Sequence, residues 1–215
     1  MLWIAADTVI TKEVDNLADI ARAFDGVGLK LGLEFFTARG LAGVDRYRNI
    51  PIFLDLKFHD IPNTVAKAVR VCCTHLASPP RYVTVHAGGL NMMTAAAAAA
   101  SNGTMVLAVA RLTSLSPLSP DDFFEAAVRA KSCGIHGMIC PVPRLGTVRS
   151  IMPVLVSPGI RPVWAKVPGD DQVVFDTPAL AHLADDIVVG RPITQAQDPA
   201  AAVAKILEEW NGFSR

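Results

Sequence analysis

Two acidic residues and a lysine lie within six positions of one another at the end of a short apolar run. The run is PIFLDLKFHDIPNT, and the three residues are Asp55, Lys57 and Asp60. Alternate side chains of a strand share a face, so we expect Asp55 and Lys57 to point the same way, with Asp60 just past the strand end. An ammonium held between carboxylates can stabilise negative charge and donate a proton. The alternative is an ordinary ion pair at a rim, with Asp60 capping a helix that Pro62 begins.

A second group of residues has the chemistry of an anion site. Glycine lets backbone N–H groups approach an anion, and arginine presents a planar fork of donors to its oxygens. The loops that follow the last two predicted strands contain Pro158, Gly159, Arg161, Gly190 and Arg191. Gln172 can add a neutral donor. This pattern predicts a phosphate site, and the alternative is a pair of surface arginines beside turns.

The elements that must position these residues alternate along the chain. Short apolar or β-branched runs are separated from longer amphipathic or alanine-rich runs by turn residues. The predicted strands are Leu2–Ala6, Val27–Leu31, Ile52–Leu56, Tyr82–His86, Met105–Ala110, Gly137–Cys140, Val154–Ser157 and Ile187–Val189. Predicted helices between them include Leu17–Phe24, Thr64–His75, Pro120–Ser132 and Pro199–Trp210.

This alternation predicts an α/β protein, a single (β/α)8 TIM barrel that spans residues 1–215 as one domain. A doubly wound open sheet is the alternative, but it usually has fewer strands and an early glycine-rich fingerprint. Barrel enzymes carry their reactive groups at the carboxyl ends of the strands. Polar residues fall at those ends throughout the chain: Asp7, Lys30, Asp55, Lys57, His86, Thr113 and Arg191. We therefore expect one shared site, covered by a mobile lid over residues 157–172.

Composition narrows the classes of partner. Lysine plus arginine (20) equals aspartate plus glutamate (20), so net charge favours neither nucleic acid nor an anionic membrane surface. No apolar run approaches the roughly 18 residues that cross a bilayer, and the first residues lack a basic leader. The four cysteines have neither the spacing nor the histidine partners of a zinc site, which predicts buried thiols in a reducing cytoplasm.

The chain closely resembles the orotidine 5′-phosphate decarboxylase family, especially its bacterial members. The most specific landmark is FLDLKFHDIPNT, from Phe53 to Thr64. Other landmarks are IAAD at the first strand, LKLGLEFFT from Leu29, VHAGG and MMTAA near residues 85–96, RLTS from Arg111, SPGIRP from Ser157 and VVGRPIT from Val188. The resemblance covers most of the chain, although Ala110 and Arg111 stand where bacterial members more often have threonine and an apolar residue.

The resemblance implies a role for each matching position around the reacting ring. Lys57 would be the proton donor, and Asp55 would organise the charges around it. Asp7 and Lys30 would hold the ribose hydroxyls. Residues Asp60, Ile61 and Thr64 would reach into the site of a partner subunit, which implies a homodimer with shared active sites.

Further positions would bind the two ends of the nucleotide. Thr113 and Ser114 would lie beside the pyrimidine, and the phosphate end would be held by Arg161, Gln172, Gly190 and Arg191. The implied reaction is decarboxylation of orotidine 5′-monophosphate to uridine 5′-monophosphate, with neither metal nor organic cofactor. The alternative is a related sugar-phosphate aldolase or decarboxylase such as hexulose-phosphate synthase, which shares the D-x-K-x-x-D core.

Overall fold

The computed structural model describes residues 1–112, 118–165 and 181–211. Within these residues, eight parallel strands pair in chain order and close into a barrel. The strands are β1 (Leu2–Ala5), β2 (Val27–Leu31), β3 (Ile52–Phe58), β4 (Tyr82–His86), β5 (Met105–Val109), β6 (Gly137–Ile139), β7 (Val154–Ser157) and β8 (Asp186–Val189). Barrel strands are covered on both faces, which explains their nearly continuous apolar sequences. The predicted (β/α)8 barrel is confirmed.

Helices cover the outside of the barrel. They are α1 (Thr11–Ala23), α2 (Leu33–Asp45), α3 (Pro62–Thr74), α4 (Leu90–Ala99), α5 (Pro120–Ser132), α6 (Leu145–Val148), α7 (Arg191–Thr194) and α8 (Pro199–Asn211). Short 3₁₀ turns lie at Val142–Arg144 and Val163–Ala165. Proline occupies the first turn of α3 and of α5, where its missing N–H costs no helical hydrogen bond. Ser119 caps α5 by accepting a hydrogen bond from the Asp122 N–H.

One prediction of a helix start was wrong. Helix α1 begins at Thr11 rather than Leu17, because its first turn is mostly polar and buries only Val14. A single apolar residue gives too weak a periodicity to mark a helix. The run of six alanines at residues 95–100 lies in α4 up to Ala99, with Ala100 as the C-cap.

An aromatic cluster fills the barrel interior on the side where the strands begin. Trp3, Phe53 and Tyr82 are at most 1% exposed, and their rings meet edge-to-face at 5.5–5.6 Å between centroids. Edge-to-face contacts suit the quadrupoles of aromatic rings. The indole Nε1 of Trp3 donates a hydrogen bond to Asp186 Oδ2 at 2.8 Å, which satisfies two buried polar groups at once. This aromatic cluster therefore fills the barrel interior beneath the carboxyl ends of the strands.

Strand β3 is irregular where it reaches its charged residues. Leu54 pairs with Val83 and Phe58 pairs with Val85, so residues 55–57 of β3 all face the single residue Thr84 of β4. Lys57 has a φ of +48°, in the left-handed region that side chains rarely adopt. Bulges of this kind re-aim side chains and are common beside active sites.

The four cysteines are free and buried, as predicted. Burial raises the pKa of Cys72 and of Cys140 to about 12, and the neighbouring Cys73 adds to the shift at Cys72. The thiols of Cys72 and Cys140 are therefore poor nucleophiles near neutral pH. Among the described helices, none has the length and apolar character needed to span a bilayer.

Candidate active site

A cavity of about 560 Å³ opens at the carboxyl ends of the strands. Most residues predicted to form the site line it together: Asp7, Lys30, Asp55, Lys57, Pro158, Gly159, Arg161, Gly190 and Arg191. Apolar residues that the sequence did not single out complete the wall, among them Phe53, Ile139 and Val188. Phe53 belongs to the aromatic cluster, and Val188 packs in the same buried group of side chains. This group therefore forms the base of the cavity.

Two ammonium groups meet on one carboxylate in this cavity. Asp55 is 9% exposed, and its Oδ2 lies 3.0 Å from Lys30 Nζ and 2.9 Å from Lys57 Nζ. Burial favours a raised pKa for Asp55, but the two ammonium groups outweigh it and hold the pKa well below its ordinary value. Asp55 is therefore ionised at neutral pH, and the group Lys30–Asp55–Lys57 carries one net positive charge.

Lys30 forms an ion pair with Asp55. Its ammonium lines the cavity and binds the carboxylate at the same time. The resemblance pairs Lys30 with Asp7 at the ribose, and both residues line the same cavity. An ammonium has three donors, so one contact with Asp55 leaves two for other oxygens.

Thr84 is a site residue that the sequence reasoning missed. It lies in the middle of β4 and is fully buried. Its hydroxyl donates to Asp55 Oδ1 at 3.0 Å and accepts a hydrogen bond from the Lys57 backbone N–H at 2.8 Å. Threonine is common in strands, so its sequence YVTVH gave no signal of this role.

Asp7 is held at the start of α2. Its Oδ1 accepts a hydrogen bond from the Phe35 N–H at 2.9 Å, one of the free N–H groups of the first helical turn. Gly32 makes this position possible, because a Cβ there would lie 2.2 Å from Asp7 Oδ2. The carboxylate of Asp7 is thus fixed at the cavity wall by the end of another strand and the helix that follows it.

The predicted anion-binding residues come together on the side of β7 and β8. Arg161 is only 5% exposed, and its Nη1 donates to the Ile160 carbonyl at 3.2 Å. Arg191 begins α7 directly after Gly190. Both arginines line the cavity with Pro158 and Gly159. The predictions for Thr113, Ser114 and Gln172 fall outside the described residues, as does the part of the predicted lid over residues 166–172.

Asp60, Ile61 and Thr64 do not join the cavity within one chain. All three are exposed at the start of α3, and Ile61 is 65% exposed. Asp60 Oδ1 accepts a hydrogen bond from the Ile61 N–H at 2.6 Å. Among the described residues, those that line the cavity include none of these three. Arg111 and Leu112 do line it, so the Arg111 departure adds a cation at the cavity edge.

Two histidines pack together beside the charged network. The rings of His59 and His86 are 5.3 Å apart between centroids and tilted by 42°. Burial lowers the pKa of His86, and the nearby His59 and Lys57 lower it further, while Asp55 opposes the shift. His86 is therefore mainly neutral at pH 7 and serves as a packing partner for the segment after β3.

Comparison with known proteins identifies the family. Residues 1–206 match the model of the Orotidine 5'-phosphate decarboxylase / HUMPS family. The chain belongs to this family. Orotidine 5'-phosphate decarboxylase of Rhodospirillum rubrum is 37% identical, over 99% of this chain and 94% of the relative. The enzyme of the same name from Sphingopyxis alaskensis is 38% identical, over 95% and 96%.

A solved structure shares both fold and sequence with the chain. The crystal structure of Orotidine 5'-phosphate decarboxylase from Lactobacillus acidophilus has a TM-score of 0.81 and 30% identity, and the match covers 98% of each chain. The match to this family therefore covers the barrel and nearly the full length of the chain. The predicted family resemblance is confirmed.

Proposed function

We propose that Lys57 protonates the ring carbon that is left when the substrate loses its carboxylate. The chain is a decarboxylase, a carboxy-lyase that converts orotidine 5′-monophosphate to uridine 5′-monophosphate in pyrimidine biosynthesis. The observation that supports Lys57 most directly is its ammonium at the cavity wall, 2.9 Å from the ionised Asp55. An acid that stays protonated in a fixed place is what a developing carbanion requires.

The chemical step uses the charges already in the cavity. The bond from the ring carbon to the carboxylate breaks, carbon dioxide leaves, and the electron pair stays on the ring carbon. The Lys57 ammonium attracts that charge, by about 4 kcal/mol at 4 Å and an effective dielectric constant near 20. It then transfers a proton to the carbon, and the neutral amine recovers a proton from water. These steps need no metal or organic cofactor.

Asp55 has two effects on this step. It holds the Lys57 ammonium in an ion pair and so fixes its direction. It also repels a substrate carboxylate placed beside it, which raises the energy of the bound substrate. Stabilisation of the carbanion is the larger effect, because the two lysines on Asp55 offset much of the repulsion.

Binding of the nucleotide divides between the two sides of the cavity. Asp7 and Lys30 lie on the side of β1 and β2 and would hold the ribose hydroxyls. Gly190 with Arg191 and Arg161 lies on the opposite side, in the loops that commonly bind phosphate in barrels. Pro158 and Gln172 would complete that end, and Thr113 with Ser114 would contact the pyrimidine. Binding of the remote phosphate can contribute to catalysis by closing the loops over the substrate.

The functional unit is a homodimer with shared active sites. Asp60 and Ile61 are exposed beside the cavity and do not line the cavity of their own chain. An exposed isoleucine next to an exposed acid, at the start of a helix, suits a contact with a second copy. Asp60 would then complete the charge network of the partner's site, with Thr64 beside it. Each chain forms one domain and works in the cytoplasm, where its four free thiols stay reduced.

Replacement of Lys57 tests the central role. Lys57→Ala should reduce kcat for orotidine 5′-monophosphate by more than about 1,000-fold, because it removes both the proton donor and the charge on the carbanion. Affinity for uridine 5′-monophosphate, measured by calorimetry, should change much less. Lys131→Ala, at an exposed position of α5, is the matched control and should behave as the unaltered enzyme. Turnover by Lys57→Ala within a few-fold of the control would exclude the proposed role.

Hexulose-phosphate synthase remains the second candidate, because the matching family description covers HUMPS proteins as well. The two reactions differ in their need for a cation, since an enolate intermediate of a sugar phosphate is expected to need magnesium. Decarboxylation of orotidine 5′-monophosphate that persists in excess chelator favours the nucleotide reaction. Aldol activity on a pentulose phosphate that disappears in chelator would favour the second candidate.

A further inference from the structure

The irregular stretch of β3 depends on one hydroxyl of the neighbouring strand. Residues 55–57 face Thr84 alone, so the regular ladder between β3 and β4 is interrupted there. The Lys57 N–H is a donor that this interruption would leave without a strand partner. It donates instead to Thr84 Oγ1 at 2.8 Å. Thr84 thus replaces a backbone acceptor for a residue held at a φ of +48°.

The same hydroxyl fixes the carboxylate that organises the site. Thr84 Oγ1 has one proton, and it donates that proton to Asp55 Oδ1 at 3.0 Å. Oδ1 is therefore occupied, and both ammonium groups contact Oδ2. The direction of the hydroxyl is settled by its two partners, because the Lys57 N–H can only donate to it. Thr84 is fully buried, so water does not compete for these bonds.

We propose that Thr84 is a positioning residue for decarboxylation, which aligns the Lys57 ammonium by holding both the Lys57 backbone and the Asp55 carboxylate. This inference rests on the proposed role of Lys57 as proton donor. Thr84 does not line the cavity, so it acts through the other two residues and not on the substrate. Valine has nearly the same shape but lacks the hydroxyl, so it would keep the packing and lose both hydrogen bonds.

The test compares Thr84→Val with Thr84→Ser, which keeps the hydroxyl and loses only a methyl group. In Thr84→Val we expect kcat to fall by about 10- to 100-fold, the effect of a small misplacement of a reacting group. The KM and the affinity for uridine 5′-monophosphate should stay within about threefold, because the residues that grip the nucleotide are untouched. Thr84→Ser should recover most of kcat.

The contrast between the two variants is a readout that lost packing alone would not give. Thr84→Val keeps the side-chain volume and loses the hydroxyl, whereas Thr84→Ser keeps the hydroxyl and loses a methyl group, so a fall in kcat confined to Thr84→Val is due to the two hydrogen bonds. An unchanged kcat in Thr84→Val overturns the inference. A loss that Thr84→Ser shares, or a parallel loss of nucleotide affinity, also overturns it by indicating general damage.

Two further measurements keep the test decisive. If Thr84→Val does not fold, Thr84→Ala replaces it, with kcat expressed per site that binds uridine 5′-monophosphate and compared with Thr84→Ser. Equal kcat values per site overturn the inference. Lys57→Ala is measured in parallel. If Lys57→Ala is inactive and Thr84→Val is fully active, only the proposed role of Thr84 is rejected. If Lys57→Ala is itself active, the proposed function of Lys57 is rejected.

Discussion

The residue with the largest local effect is Asp55, because one buried carboxylate holds two lysines in place. The lowered pKa of Asp55 means that its charge stabilises the folded state above its ordinary pKa of about 3.9. That stabilisation is lost only as the pH falls through the lower pKa that Asp55 has in the folded state. Asp55 therefore keeps its charge between pH 5 and pH 8, and catalysis does not depend on titration of Asp55 in that range.

Arg191 gives a residue-scale prediction for substrate binding. Arg191→Ala should raise KM for orotidine 5′-monophosphate by about 10- to 100-fold, because a hydrogen bond between charged groups contributes about 1.5–3 kcal/mol. Steady-state kinetics measure this change. Arg129→Ala removes an exposed arginine from α5 and should leave KM unchanged. If KM and kcat are both unaltered in Arg191→Ala, the residue does not bind the phosphate.

The charged side chains of the site could be predicted from the sequence, whereas the buried Thr84 could not. Asp55, Lys57 and the two arginines were predicted because ionisable residues at strand ends are uncommon and carry obvious chemistry. Thr84 was missed because its function arises from a break in strand register that no local pattern indicates. Asp60 lies just past the end of β3, as the sequence predicted, and it is exposed there at the start of α3.

At the scale of elements, a close contact between Gly32, which precedes α2, and Asp7, which follows β1, positions the Asp7 carboxylate at the cavity. Gly32→Ala should displace Asp7, since the new Cβ would lie 2.2 Å from its Oδ2. We expect a KM several-fold higher, by about the 1 kcal/mol of a lost hydrogen bond. Gly89→Ala is the matched control, because Gly89 also precedes a helix in extended conformation and a Cβ there meets only Met92 at 3.9 Å. Equal KM values in the two variants would contradict the expectation.

The ends of β3 and β4 give a prediction about pH. The pKa of His86 is lowered by burial first, and then by His59 and Lys57, against an opposing effect of Asp55. The unfolded chain binds this proton near pH 6.5 while the folded chain does not, so the free energy of unfolding falls as the pH drops below that value. His86→Gln should make this fall shallower between pH 7 and pH 5 in urea titrations, whereas His182→Gln, at an exposed position, should not. Identical slopes in both variants would reject the assignment.

Strand positions were easier to predict than the details of their ends. Continuous apolar runs marked all eight described strands to within two residues at either end. Strand β3 continues to Phe58 rather than ending at Leu56, because its backbone bends at Lys57 and then pairs again. A regular alternation of side chains cannot reveal such a bend. The missed start of α1 has the related cause that polar first turns lack periodicity.

At the scale of the whole molecule, shared sites can be tested by mixing two inactive variants. If Asp60 acts in the partner's site, a mixed dimer of Lys57→Ala and Asp60→Ala contains one site with both residues intact. Equal mixing after reversible unfolding should then restore about one quarter of the full activity by random pairing of subunits. Each variant carried alone through the same procedure is the control. No recovery despite mixed dimers, verified by mass spectrometry, would show that the two residues act within one chain.

The aromatic cluster beneath the cavity also determines the route by which products leave the active site. Trp3, Phe53 and Tyr82 are buried in the barrel interior on the side where the strands begin, so among the described residues they close the barrel opposite the opening of the cavity. Substrate, gas and product must all use the opening by which the nucleotide arrived. If the reacting ring carbon lies beside Lys57, as proposed, carbon dioxide forms within the cavity and leaves through the same opening. The release of carbon dioxide and of the nucleotide product therefore depends, as substrate binding does, on the loops that surround this opening.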